Sequence, residues 1–282
     1  MVTSAQRRAV VTDAMRDHVL TLARACRYFS LHRSLLRYQP RRVQPEGLVP
    51  RLEQLAEKKP AWGSPRLTWR LRREGWAVNH KRIERLCRVQ HMLVGERPKP
   101  KRPAATRVPT PVPTRADERW SMDFMRDTLA DGRPYRLWTL VDDATREAPL
   151  LLVDRCLSAA RVVEALDLLL SARGLPRAIV CDNGPEFTSL ALDQWASEHE
   201  IRLDFIRPGR PVENCFIESF NGKLRAECLN LHHFASLADA QRIIEAWRIE
   251  YNTERPHKGL RQQTPLEYAA SLTPRNADVL TH

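Results

Sequence analysis

The segment KPKRPAATRVPTPVPTRADE, ending at Glu118, splits the chain into two parts of different character. It carries five prolines, several charges and no apolar period. Each proline fixes φ and removes a backbone donor, so the stretch suits neither a helix interior nor the middle of a sheet. Residues 98–117 are therefore expected to form an extended linker. Charge changes sign at the same place: residues 1–115 hold 26 Lys/Arg against 8 Asp/Glu, and residues 116–282 hold 20 against 26. A front this basic suits a polyphosphate partner, because neutralised phosphates release their counterions. With 282 residues, 43% of them hydrophobic, the chain can build two domains with real cores.

The front, residues 1–97, reads as two helical pairs at about 4–40 and 48–95. In the first, Val19, Leu22, Ala23 and Cys26 recur at helical spacing, and Ser30-Leu31-His32 breaks the pattern before a second basic helix. In the second, WGSPRLTWRLRREGWAVNHKRIERLCRVQHM, Ser64 can cap, Pro65 can take the first helical position and Gly75 can end the helix. Asn79 can cap the next helix, on which Lys81, Arg82, Arg85 and Arg88 lie mostly on one side. One such pair is a weak sign. Two Arg-rich pairs in tandem, ahead of an acidic half, favour helix-turn-helix DNA binding with those four cations as DNA contacts.

Beyond the linker the period switches. RWSMDFMRDTL (119–129) alternates, with Trp120, Met122 and Phe124 on one face and Ser121 and Asp123 on the other. YRLWTLVDD (135–143) and EAPLLLVD (147–154) continue an antiparallel start. A helix closed by Gly174, the strand AIVCD, the helix SLALDQWASEHE, the strand RLDFI and a helix from about Val212 follow. This α/β order implies a mixed five-stranded sheet flanked by helices, as in ribonuclease H-like domains, over residues 118–230. Residues 231–282 form a helical extension, its amphipathic helix stopped at Pro256.

Three carboxylates stand out. Asp123 lies mid-strand, and Asp182 ends the fourth strand, where an open α/β sheet presents groups to a ligand. In PVENCFIESFNGKLRAECL, Phe216, Phe220 and Leu224 form one helical stripe, while Asn214, Glu218, Asn221 and Arg225 form another, roughly 200° away at 3.6 residues per turn. Glu213 competes with Glu218 but falls off that polar stripe. Clustered carboxylates repel one another, and Mg²⁺, a cation that favours hard oxygen ligands and keeps waters for phosphates, turns the repulsion into a site. Two such ions about 3.5–4 Å apart can clamp the attacking and leaving oxygens of an in-line phosphoryl displacement.

Thirty-five residues separate Asp182 from Glu218. With the surrounding motifs, WSMDF, CDNGPEFTS, ENCFIESFNGKLRAECLN and the ending YNTERPHKGLRQQTPLEY, the chain resembles the DDE transposases and retroviral integrases. More narrowly, it resembles the downstream-frame catalytic subunit of the insertion-sequence-three family, over nearly its whole length. The resemblance implies catalytic, metal-holding roles for Asp123, Asp182 and Glu218, with Arg225 as the basic residue seven positions on. It implies an Mg²⁺-dependent polynucleotidyl transferase, active with Mn²⁺ as substitute, that nicks the element's 3′ ends and joins them to target DNA. Implied partners are DNA, further copies of the chain assembled on it, and an upstream-frame protein or fusion carrying a helix-turn-helix and leucine zipper.

Other residues have plainer readings. Asn183 and Gly184 make the turn after the strand, with Asn183 a secondary candidate for DNA contact. Lys223, Arg225 and Asn221, beside Glu218, suit phosphate contact. Trp120 and Trp195 belong to the core, and Asp142 and Asp143 to a surface turn, although Asp142 is the nearest impostor for a metal ligand. Six scattered cysteines without a C-x-x-C pair read as reduced thiols, and His18 and His32 beside Cys26 do not make a zinc finger. Nothing resembles a membrane span or signal peptide, so a cytoplasmic, nucleoid-associated protein is expected. The competing reading is an inert DNA-binding remnant, which the presence of all three acids disfavours. A nucleotide-driven protein would need a G-x-x-x-x-G-K-[ST] loop, and the chain has none.

Overall fold

The computed structural model describes residues 4–17, 20–36, 45–92, 113–207 and 214–272. Contacts divide the chain into two compact units, one running to Arg51 and the other from Leu52 onward. In the first, helices α1 (Ser4–Arg16), α2 (Leu22–Tyr28) and α3 (Arg33–Leu36) enclose Val11, Ala25, Cys26 and Leu31. The expected break falls where Ser30 takes a left-handed φ of 49° and the Leu31 N–H returns to the Cys26 carbonyl at 2.9 Å. The expected first pair is thus three helices, because the chain is also non-helical just before Leu22. His18 and Val19 lie outside the described residues.

Helix α4 (Leu48–Lys58) crosses the division, and α5 (Ser64–Arg73) and α6 (His80–Val89) follow. The cap of α5 is Gly63 rather than Ser64: Gly63 is extended and its carbonyl accepts from the Arg66 and Leu67 N–H groups, so Ser64 is already helical. Gly75 ends the helix as expected, its φ of 89° being one that side chains resist. Asn79 caps α6, its side chain accepting from the Lys81 N–H at 3.0 Å. Leu67 and Leu71 of α5 and Ile83 and Cys87 of α6 are fully buried. The outer side of α5 is ion-paired to the rest of the unit. Arg66 meets Glu227 at 3.3 Å and Arg70 meets Glu254 at 3.3 Å, and Lys59 and Arg73 pair with Glu250 and Glu267.

Beyond Val112 the sheet forms from β1 (Arg119–Thr128), β2 (Pro134–Asp142), β3 (Leu151–Asp154), β4 (Ala178–Cys181) and β5 (Arg202–Phe205). Its order is β3-β2-β1-β4-β5, antiparallel across β1–β2 and β2–β3 and parallel across β1–β4 and β4–β5. This is the mixed five-stranded sheet that the order of elements implies. Alternation sends Trp120, Met122, Trp138 and Leu140 to one face, where Leu166 of α7 (Ala159–Arg173) and Trp195 of α8 (Leu190–Glu198) cover them. It sends Tyr135, Leu137 and Val141 to the other, under Phe220 and Leu224 of α9 (Cys215–Glu227) and Ile244, Trp247 and Tyr251 of α10 (Leu237–Thr253). Helix α11 (Pro265–Leu272) ends the described chain.

Two expectations are corrected. The third strand begins at Leu151, not near residue 147, because α10 takes the polar groups before it. Asn252 bonds both the N–H and the carbonyl of Ala148 at 2.9 Å, and Arg248 bonds the Ala148 and Pro149 carbonyls. Asp142 and Asp143 are wholly buried rather than on the surface. Asp142 accepts from the N–H groups of Asp117, Ala144 and Thr145, while Asp143 holds the Ser121 hydroxyl at 2.7 Å and Arg119 at 2.6 Å. Their oxygens hold the end of the sheet together, so Asp142 has none to offer a metal.

Candidate active site

Strand β1 places Asp123 opposite Thr139, on the face that α9 covers. Its Oδ1 accepts from the Phe124 N–H at 2.7 Å, and its Oδ2 accepts from Asn221 Nδ2 at 2.8 Å. Burial lifts the Asp123 carboxyl to about 6, opposed by the Phe124 N–H, and the negative charges of Asp182 and Glu218 push it the same way. The charges of Asp182, beyond a strand tip, and Glu218, on a helix, thus both bear on Asp123.

Asp182 sits just beyond β4, and its Oδ1 accepts from the Gly184 N–H at 2.9 Å, the local turn that Asx residues favour. A Cβ at Gly184 would lie 2.9 Å from that same oxygen, so only glycine leaves the carboxylate where it stands. Asn183 donates to the Ile206 carbonyl at 2.8 Å and ties this tip to the end of β5. Glu218 lies exposed in the first turn of α9. The polar stripe of α9 does face β1: Asn221 reaches Asp123, and Arg225 bonds Asp127 Oδ2 at 3.3 Å and the Arg126 carbonyl at 3.0 Å. Glu213, the competing acid, lies outside the described residues.

Among the described residues, no three His, Cys, Asp or Glu side chains stand close enough together to hold a metal ion. The donor chemistry nevertheless suits a hard cation. Asp123 and Asn221 offer carboxylate and amide oxygens, and Asn221 Oδ1, in a side chain only 8% exposed, is a buried acceptor without a partner. On α6, Lys81, Arg85 and Arg88 are exposed and Arg82 is half-buried, on the side away from Ile83 and Cys87; Arg88 is bonded to Glu84 at 2.9 Å. Lys223 turns away from the acids and donates to the Ser219 carbonyl and hydroxyl at 2.9 and 2.7 Å.

Some functional geometry left no mark in the sequence reading. The ion pair between Arg136 and Glu186 in the loop after Asp182 joins residues fifty apart, and no local pattern announces it. The contact of Asn221 with Asp123 could have been found, since the stripe that holds Glu218 also holds Asn221.

Residues 113–211 and 199–265 match the family described as Integrase core domain, and residues 48–101 match the HTH-like domain. The chain is 44% identical to the insertion element IS407 31.7 kDa protein of Burkholderia multivorans over 260 residues, covering 92% of this chain and 94% of that one. The chain belongs to the insertion-element transposases. The transposase is also 25% identical over 227 residues to InsK of Escherichia coli, which bears the name of a transposase for insertion sequence element IS150; the alignment covers 75% of this chain and 78% of InsK. Its fold is similar to that of a chain in the cryo-EM structure of the simian T-cell lymphotropic virus intasome in complex with PP2A regulatory subunit B56 gamma, with a TM-score of 0.52, 16% identity and coverage of 82% and 78% of the two chains. Among the described residues of the transposase, no helix is long and apolar enough to cross a membrane.

Proposed function

We propose that this transposase cuts the 3′ ends of its element and joins them to target DNA with Asp123, Asp182 and Glu218 as the catalytic and Mg²⁺-holding residues. The observation that carries the reading is the hydrogen bond from Asn221 to Asp123, which ties β1 to the helix that bears Glu218 and leaves Asn221 Oδ1 orphaned beside the acid, with the charges of Asp182 and Glu218 bearing on Asp123. Mg²⁺, with Mn²⁺ as substitute, would supply Lewis acidity to the attacking and leaving oxygens, and the family resemblance makes it two ions. The chain's own residues do the positioning. Asn221 fixes one oxygen of Asp123, the Gly184 N–H fixes one oxygen of Asp182, and Arg225 pins α9 to β1. Water, and then the freed 3′-hydroxyl, attacks phosphorus in line as the P–O3′ bond or its target counterpart breaks.

In this reading residues 1–97 bind DNA, with Lys81, Arg82, Arg85 and Arg88 on phosphates or bases and Asn183 approaching the strand near Asp182. Residues 98–117 link them to a catalytic domain at 118–230, and residues 231–282 extend it. The assembly on DNA contains further copies of the chain and an upstream-frame partner or fusion, and it works in the cytoplasm at the nucleoid.

The test is the full chain carrying Glu218→Gln, assayed with element-end DNA in Mg²⁺. Nicking and strand transfer should fall below detection while DNA affinity stays within about twofold, since only one of many charges near the phosphates is removed. Cleavage that survives the substitution would move the third acid to Glu213. Wild-type activity in EDTA would remove the metal from the reading.

A further inference from the structure

Across α9 from Asp123 the structure has a cavity. Lys223 lies five residues beyond Glu218, about 140° around the helix, and opens onto this cavity of 940 Å³. The start of α5, the turn after β2, α9 and the loop at 256–262 enclose it. Among the described residues, five cations line it, Arg66, Arg146, Lys223, Arg255 and Lys258, against the single carboxylate of Glu227. That carboxylate is fully engaged. Arg255 donates to its two oxygens at 2.7 and 2.5 Å, and Arg66 adds a third bond at 3.3 Å.

Among the described residues, the remaining cations form no ion pair inside the cavity, although the Glu227 charge acts on Lys223. Lys223 has only the oxygens of Ser219. Lys258 is exposed at the rim. Arg146, in a left-handed turn with φ of 63°, lies 3.8 Å over the Phe216 ring, and its Nη1 is buried without a hydrogen-bond partner. Asp143 is the first charge acting on it, and that carboxylate is already held by Ser121 and Arg119. The field shows in the neighbours: burial and then the charges of Arg255, Lys223, Arg66 and Arg146 hold His257 well below its ordinary range. Burial and then Arg255 bring Lys223 down to about 8. A concave surface with excess positive charge and unfilled donors fits an anion with several oxygens.

We propose that this cavity binds phosphate, and that the phosphate belongs to a DNA strand lying along the side of α9 opposite the scissile bond. The phosphate assignment stands on the cavity alone; the DNA assignment rests on the proposed strand-transfer function. Two observations favour DNA over a free nucleotide. The aromatic rings in the lining, Phe216 and Tyr251, already carry Arg146 and Arg255, which leaves a base no obvious stacking platform. The wall also combines α5, within the HTH-like match, with α9 and the loop after α10, within the integrase core matches, so the cavity lies where DNA passing between the two regions would run.

The experiment uses the full chain with Lys223→Gln and Lys258→Gln together. Among the described residues neither lysine pairs with a carboxylate, so the fold should persist, which an unchanged Tm confirms. Binding to element-end duplex is measured in EDTA between about 50 and 200 mM salt. Each lost phosphate contact lowers the slope of log Kobs against log salt by about 0.9, so the double variant should lose roughly 1–2 in slope and about tenfold or more in affinity. Lys223→Arg with Lys258→Arg should restore both. An unchanged slope with intact binding overturns the DNA assignment, even if Lys81→Gln and Arg85→Gln on α6 still lower it.

Inorganic pyrophosphate and ATP separate the two phosphate sources. Pyrophosphate that raises the Tm of the unmodified chain but not of the double variant, and that competes with DNA, supports the site. ATP binding at least tenfold tighter than pyrophosphate would assign a nucleotide and overturn DNA as the source. A chain that fails to bind DNA while pyrophosphate still stabilises it keeps the phosphate site and overturns the strand-transfer reading. The absence of any pyrophosphate effect, together with an unchanged slope, overturns the site itself.

Discussion

Asp123 should destabilise the metal-free transposase, and replacing it with asparagine should make the protein more stable while making it inactive. Its carboxyl is raised from 3.8 to about 6 in the folded chain, burial first and the Asp182 and Glu218 charges after. A carboxylate raised on folding contributes stability below its unfolded value and loses it as pH climbs through the folded one. The loss therefore develops between about pH 4 and 6 and is complete above it. At about 1.4 kcal/mol per unit the deficit above pH 6 is about 3 kcal/mol. The substitution would remove that deficit but would lose about 1 kcal/mol, since an amide offers one acceptor where Phe124 N–H and Asn221 Nδ2 now use two. The net gain in Asp123→Asn, about 2 kcal/mol, corresponds to a Tm rise of roughly 4–8 °C for a domain of this size. Thermal melts in EDTA at pH 8 and pH 4 check it. The variant should melt higher at pH 8 but slightly lower than wild type at and below pH 4, where only the lost acceptor remains, and Mg²⁺ should stabilise only wild type, chiefly above pH 6. A variant that melts lower at pH 8, or a gap that does not close at low pH, would refute the charge account of this site.

Two further substitutions separate stability from activity. Glu227→Ala strands Arg255, whose side chain is 3% exposed, and should destabilise the fold by about 3–5 kcal/mol in urea unfolding; a loss under about 1 kcal/mol would show that the pair holds little. Gly184→Ala should leave Tm nearly unchanged, because the atom it meets is the movable end of Asp182 and no positive φ is recorded at Gly184. Strand cleavage should nevertheless fall by tenfold or more, and full activity would mean the position of Asp182 is not critical.

The parts of this protein that follow local rules were legible. Period-two alternation placed Asp123 on the face opposite Trp120 and Met122, and the helical stripe placed Asn221 and Arg225 against β1. The rest depends on pairs distant in sequence. Asp142 and Asp143 look like a polar turn because two consecutive acids end a strand. Strand register brings Ser121 and Arg119 to Asp143, and the chain before β1 brings the Asp117 N–H to Asp142, which makes both core residues. Arg255 and His257 near the chain's end had no local explanation. Arg255 answers to Glu227, twenty-eight residues back, and His257 answers to Arg255 at 3.3 Å.

The charge contrast between front and back takes on a different meaning in three dimensions. A basic front and an acidic back suggest separate machines, yet Lys59, Arg66, Arg70 and Arg73 all meet glutamates of α9, α10 and the chain up to α11. Half-exposed pairs of this kind are worth roughly 0.2–1 kcal/mol each, too little to explain the packing by themselves. What they supply is direction, since three pairs from α5 and one from Lys59 just before it, with one sign on each side, favour a single docking of α5. With α5 facing the acids, its arginines are not the ones free for DNA. In the proposed reading that role falls to the exposed cations of α6, which packs on α5, and to the cations of the cavity across α9. On these two proposals helix α9 would stand between two phosphate-directed surfaces, the acidic site on the β1 side and the cations of the cavity on the α5 side. A strand gripped on the second would be held while a bond is cut on the first.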